Sequence, residues 1–320
     1  SPDGTKLAYE VNYHSRKSIE LYVYEPGRSP RQVSPSSRGD SSLTSGFSER
    51  TASLVAHEPV WGPPATDRFI YSASNHRLDF DLYLERGSAL APAPGSDGDA
   101  DWSQSGRWLV FTSARSGQGD LYLLDLFRPG SPPTQITSIA ESSELDAAFS
   151  PVDDRLAYVA HTDHGDNIYL IEDVQAPDPQ QLTQWTRSQV SPSWNPQGTY
   201  LAFYSNHDFI DRVDLYVMKI GSQPYAVAHG VVKSHNGPSW TPDGESLIYI
   251  RDDEQTFDPV YRVPIINPDL ATEVPTQTVG NGDLDVVLGT DGQTWLAVSA
   301  QGLEHDVVRD FKRIYIMPIP

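Results

Sequence analysis

Read as a pattern of apolar and polar positions, the chain repeats one theme from end to end. A polar turn rich in Pro, Asp and Gly leads into an alternating apolar strand. A polar loop follows, and then a second strand centred on a tyrosine. The turns are Ser1-Pro2-Asp3-Gly4, Pro63-Pro64-Ala65-Thr66, Ser103-Gln104-Ser105-Gly106, Ser150-Pro151-Val152-Asp153, Asn195-Pro196-Gln197-Gly198, Thr241-Pro242-Asp243-Gly244 and Gly289-Thr290-Asp291-Gly292. They end at positions 4, 66, 106, 153, 198, 244 and 292, so the spacings are 62, 40, 47, 45, 46 and 48 residues. A period of roughly 40–50 residues is that of a propeller blade. The longer first interval carries an insertion of mostly small polar residues at 34–53.

After each turn the strand reads Leu7-Ala8-Tyr9, Phe69-Ile70-Tyr71, Leu109-Val110-Phe111, Leu156-Ala157-Tyr158, Leu201-Ala202-Phe203, Leu247-Ile248-Tyr249 and, more weakly, Trp295-Leu296-Ala297. The second strand carries Tyr22, Tyr83, Tyr122, Tyr169, Tyr216, Tyr261 and Tyr315. Alternating β-branched and aromatic residues suit a half-buried pleated strand. A short third strand (Gln135-Ile136-Thr137, Gln181-Leu182-Thr183) and a fourth ending at Trp61, Trp102, Phe149, Trp194, Trp240 or Leu288 complete each unit. Four short antiparallel strands with a recurring aromatic make a blade. The expected fold is all-β, a single propeller over 1–320 with about seven blades of four-stranded antiparallel sheets. The first blade is expected to lack its inner strand and the last its outer strand, with Pro318 and Pro320 blunting the exposed edge.

Composition narrows the function. The formal net charge is −20, which repels phosphate backbones, and no basic patch offsets it. Neither nucleic acid nor an anionic lipid surface is an expected partner. There is no Cys, so disulfides and thiolate chemistry are excluded. No apolar run reaches the roughly 20 residues that span a bilayer. The chain opens at Ser1 inside a repeat, which leads to the expectation that a signal or anchor precedes it.

Ser1-Pro2-Asp3-Gly4 with Leu7-Ala8-Tyr9, Pro238-Ser239-Trp240-Thr241-Pro242-Asp243-Gly244 with Leu247-Ile248-Tyr249, and Asp214-Leu215-Tyr216-Val217-Met218 resemble the PD40 (WD40-like) repeat of TolB-like propellers. The resemblance covers essentially the whole chain and implies the fold. Relatives with this repeat include TolB, which is periplasmic and binds protein partners. Others are the propeller domains of prolyl-oligopeptidase-like enzymes and the oligogalacturonate lyases. Fold alone does not choose among them.

Candidate chemistry gathers in the loops. With this strand order, the loops between the post-turn strand and the tyrosine strand share a face with the blade-to-blade connections, and all nine His map to that face or its approaches. His161, Asp163, His164 and Asp166, with His207 and His235, are the candidate metal ligands. Imidazole with carboxylate suits a transition metal, and carboxylates alone suit Ca²⁺. No cofactor is expected beyond such a Ca²⁺ or other divalent cation. No Gly-x-Ser-x-Gly nucleophile elbow is present, because Gly46-Phe47-Ser48-Glu49-Arg50 lacks the final Gly. A lyase-like pocket for a sugar acid needs cationic clamps, and Arg77, Arg187, Arg212 and Arg251 are the candidates. The leading expectation is a non-catalytic periplasmic or extracellular scaffold that docks a protein partner, a peripheral subunit of a membrane-associated complex being one form of it. Its expected anchors are Arg38, Phe47 and Arg50 in the insertion and His76, Phe80, Phe209 and Phe257 in neighbouring loops, since aromatics and Arg dominate interface energy. The alternative is a metal-dependent enzyme of the oligogalacturonate-lyase kind, or a propeller separated from a hydrolase.

Overall fold

The computed structural model describes residues 1–13, 18–34, 55–64, 66–74, 79–85, 89–139, 141–253, 258–304, 307–308 and 313–319. They form seven small antiparallel sheets, the blades of a β-propeller, with one short 3-10 helix at Pro268–Leu270. The Pro/Asp/Gly turns join the inner strand of each blade to its second strand. Gly106, Gly198 and Gly244 close such turns at φ +70°, +62° and +68°, the left-handed region where a Cβ is disfavoured.

The chain divides into two compact units, Ser1–Phe149 with Val174–Pro177, and Ser150–Asp173 with Asp178–Pro320. The first unit holds three blades. Among the described residues the first blade has three strands, Leu7–Tyr13, Ser18–Tyr24 and Arg31–Gln32. The second comprises Ala56–Trp61, Phe69–Ser74, Phe80–Leu84 and Ala89–Leu90, and the third Asp97–Trp102, Trp108–Ser113, Asp120–Asp125 and Thr134–Gln135. The unit boundary falls at the first turn of the fourth blade, after its inner strand Ser143–Phe149.

The second unit continues with Leu156–Thr162, Gly165–Ile171 and Gln180–Gln181. The fifth blade follows as Gln189–Trp194, Tyr200–Ser205, Asp214–Lys219 and Tyr225–His229. In the sixth blade the inner strand is broken into Val231–Val232 and Ser239–Trp240, both pairing with Ser246–Arg251; Val260–Pro264 and Thr272–Glu273 complete it. The seventh is built on Thr294–Glu304, flanked by Thr278–Val279 and Leu284–Leu288 on one side and by Val307–Val308 and Arg313–Ile319 on the other. Arg313–Ile319 is the edge, and Pro318 lies on it, as the sequence predicts.

Periodicity explains the packing. The repeated tyrosines face the aromatic of the preceding strand in register: Tyr9 with Tyr22, Tyr71 with Tyr83, Phe111 with Tyr122, Tyr158 with Tyr169, Phe203 with Tyr216, and Tyr249 with Tyr261. Their ring centroids are 5.5–6.1 Å apart. Directly opposed aromatic pairs are a strong cross-strand contact. In the seventh blade the partner of Tyr315 is Val298, the weak point of the repeat. The sheets bury their faces in separate apolar clusters, such as Ile70, Leu82, Trp102, Leu109, Phe111 and Leu124 in the first unit. In the second unit Leu215, Val217, Trp240, Leu247 and Val263 do the same.

A polar device recurs beside these clusters. In three blades the hydroxyl just after the short outer strand accepts a backbone N–H from the strand beside it. Ser34 accepts from Leu21 at 2.9 Å, Thr137 from Leu121 at 2.8 Å and Thr183 from Ile168 at 2.9 Å. This satisfies a buried donor that the two-residue outer strand is too short to reach.

Candidate interaction face

The most elaborated loop cluster belongs to the fifth blade. Trp185 lies in the connection that enters the blade, and His207 in the loop after Ser205. Their rings stack 4.0 Å apart at 15°, so the two loop sets meet as the strand order predicts. Beneath them Trp185 sets its edge on Tyr216 at 5.1 Å and contacts Phe203 at 6.0 Å. Tyr216 Oη donates to Asp208 at 2.7 Å, and burial together with that carboxylate pushes the phenol up. Arg187 clamps the loop by donating to the carbonyls of Asn206 and His207 at 3.3 and 3.2 Å.

The same loop ends in a second brace. Arg212 donates through Nε and Nη2 to the two oxygens of Asp214, both at 2.7 Å, while its guanidinium covers Phe209 at 4.1 Å. His229 and the Gly230 N–H also bond Asp214, each at 3.0 Å. Against the cost of burial, these donors hold the Asp214 carboxyl below its ordinary range. Phe209 and Ile210 stand on this braced loop 56% and 69% exposed. An apolar pair held rigidly in water is the form of an interface anchor.

In the first unit, the inner strands carry a line of carboxylates. Glu58, Asp99 and Asp146 take φ of 56°, 46° and 51°, and bulges at His57/Val60 and Gly98/Asp101 turn the backbone there. Glu10 accepts the Glu58 N–H at 2.9 Å, and Glu58 accepts the Asp99 N–H at 3.1 Å. Burial, then Glu58 and Asp146, raise the Asp99 carboxyl to about 7. The bond to Glu10 at 3.2 Å, against the opposing effect of burial, raises the His57 imidazole above its ordinary value.

Of the expected anchors, Phe209 is exposed and braced. Phe80 opens a strand, is half-buried and lies 6.0 Å from the His57 ring. Arg38, Phe47, Arg50, His76 and Phe257 lie outside the described residues, as does all but the first residue of the insertion. The expected metal set is dispersed. His161 pairs with Asp166 across its hairpin, His207 stacks on Trp185, and His235 bonds Asp283 at 2.8 Å. Asp163 and His164 occupy the exposed hairpin tip. Among the described residues, no three His, Asp or Glu side chains converge as a metal set. Gly165 in that hairpin serves the backbone: its φ is +124°, and a Cβ there would lie 2.8 Å from the Thr186 carbonyl carbon. Gly165→Ala is expected to cost about 1–3 kcal/mol in urea unfolding.

The candidate substrate clamps are otherwise engaged. Arg187 and Arg212 are bound as described, Arg251 covers Tyr261 at 4.4 Å, and Arg77 lies outside the described residues. Sequence reasoning missed Trp185 and the inner-strand acids. Trp185 did carry a signal, because it falls out of phase with the Trp that ends the inner strands.

The fold is that of a β-propeller, and the loops of its fifth blade form a braced aromatic cluster. The TolB beta propeller domain family (PD40) matches residues 128–313, and the chain belongs to that family. Comparison with curated proteins gives no match. Among solved structures the chain is similar to TolB from Acinetobacter baumannii, at 15% identity and a TM-score of 0.57, covering 84% of this chain and 63% of that one. A puromycin-hydrolyzing peptidase from Mycobacterium tuberculosis is similar at 12% identity and TM-score 0.68, covering 98% and 50%. An oligogalacturonate lyase in complex with manganese gives 12% and 0.63, covering 99% and 83%. The chain thus spans under two thirds of the first TolB and half of the peptidase.

Proposed function

We propose that this chain is a non-catalytic propeller scaffold that docks a protein partner through the loop face of its fifth blade, outside the cytoplasm. The observation that carries the reading is the exposure of Phe209 and Ile210 on a loop locked by Arg212, Asp214 and the Trp185–His207 stack. Preorganisation lowers the entropic cost of binding, and aromatic or Arg anchors concentrate its energy. Family membership is in keeping with the same reading, since the family that matches is that of the TolB propeller domain. The metal-dependent enzyme reading rests on likeness of fold alone.

The test is site-specific photo-crosslinking in envelope extract of the source organism, with a photoreactive phenylalanine at position 209 or at Asp243 in the Pro-Asp-Gly turn. One discrete adduct is expected from position 209 and none from 243, and Ile210→Ala should weaken capture from position 209 at least about tenfold. Equal labelling from both positions, or none from 209, would sink the proposal.

A further inference from the structure

The repeat supplies its own controls for one buried seam. Two residues before each left-handed inner-strand residue lies a buried position, occupied by Ala56, Asp97, Glu144 and Gln189 in blades two to five. It neighbours the third strand of the preceding blade, where the residue two before the tyrosine is Glu20, Asp81, Asp120 or Asn167. Each pairing but one limits its charge. Glu20 is matched with Ala56. Asp97, beside Asp81, is bound by the Arg115 guanidinium at 2.9 and 3.1 Å. Asn167 and Gln189 are both amides, joined through Thr183 at 3.3 and 3.1 Å.

The seam between the third and fourth blades differs. Asp120 and Glu144 are 2% and 0% exposed, and both are carboxylates. Thr137 donates to Glu144 Oε2 at 2.9 Å while accepting the Leu121 N–H at 2.8 Å, and the Glu144 N–H donates to the Gly119 carbonyl at 2.6 Å. These bonds hold Glu144 against the start of the strand that carries Asp120. Ser142 donates to Glu144 Oε1 and Ser116 to Asp120 Oδ2, yet Asp120 Oδ1 is buried with no donor. The other charged groups on the packed strands and turns are Asp97, Asp99, Asp101 and Asp125, with Glu141 and Asp146 beside Glu144 in sequence. The cations there are committed, Arg115 to Asp97 and Arg107 to Asp125.

Two buried carboxylates in contact cannot both stay ionised without a counter-cation. We infer that Asp120 and Glu144 share one proton, donated toward Asp120 Oδ1, which makes this seam a pH-sensitive joint. Burial, then the Asp120 carboxylate against the hydroxyl donors, raises the Glu144 carboxyl, in agreement with that assignment. The sign follows. The unfolded chain releases this proton in the ordinary carboxylate range, whereas the folded pair keeps it to higher pH. Stability from the joint is therefore full at low pH and is lost as pH rises through the folded value.

The experiment compares urea unfolding of the full chain and Glu144→Gln, which copies Gln189, from acid to mildly alkaline pH. The folding constant of the variant relative to the parent is expected to rise by up to about tenfold per pH unit across the window, the slope of one proton. Infrared spectra of the parent at neutral pH should show a protonated carboxyl band that Asp120→Asn removes, a readout that survives if Glu144→Gln fails to fold. Parallel pH profiles together with no such band would overturn the proposal. So would stabilisation of the parent, but not of Glu144→Gln, by added CaCl₂ at alkaline pH, which would assign the pair to a metal cation instead.

Discussion

Arg115→Met is expected to destabilise the protein by about 3–5 kcal/mol at neutral pH, measured by urea unfolding. The guanidinium reaches both oxygens of Asp97 through Nη2, donates to the Ala91 carbonyl at 3.2 Å and, through Nε, to Ser113 at 2.7 Å. Methionine keeps much of the packing over Phe111 and Tyr122, where the guanidinium sits 5.2 and 4.9 Å from the rings. What it removes is the countercharge of a carboxylate whose side chain is fully buried. Removing one partner of a buried pair costs far more than the pair contributes, because the remaining charge stays desolvated. Burial already raises Asp97, with Ser113 and Arg115 opposing it. Without Arg115 that carboxyl rises further. The deficit should therefore shrink in acid, where Asp97 is neutral, and grow as pH rises. Adding Asp97→Asn should recover most of the loss. A deficit that is independent of pH and unchanged in the double variant would show that Arg115 acts through packing instead.

The second large effect is expected at Phe203. Phe203→Ala should cost about 3–5 kcal/mol, the range for a buried Phe whose cavity cannot collapse. The side chain is fully buried, 5.8 Å from the Tyr216 ring and 6.0 Å from Trp185. It lies in the floor of the loop cluster, so its loss reaches the interaction face as well as the core. The unfolding midpoint should fall, and capture from position 209 should weaken even at temperatures where the variant remains folded. Unchanged capture in the folded variant would separate the Phe209 loop from the aromatic floor and leave its support to Arg187 and Arg212.

Legibility differed between architecture and site. The blade period, the Pro/Asp/Gly turns and the aromatic at each second strand are local signals repeated seven times, and each repeat reinforces the reading of the others. The metal set was not readable in this way. Loop-side placement brings His161, His207 and His235 to one kind of loop, but each is then taken by its own partner: Asp166, Trp185 and Asp283. Phe209 could be named as an anchor from its loop position alone. That Arg212 would support it, rather than clamp a substrate, depends on its two bonds to Asp214, which only the folded loop brings about.

By itself the sequence determined the all-β propeller class, the order of strands within a blade and a count of about seven blades. Those follow from period and composition, which are properties of the chain read in order. Only the tertiary structure decided which buried acids meet a cation, an amide or each other. The partners of Asp97, Glu144 and Gln189 come from different blades or from beyond a turn, and no local pattern distinguishes the three positions. Charge in a low-dielectric seam is settled by what stands across it, and that is fixed only when neighbouring sheets pack.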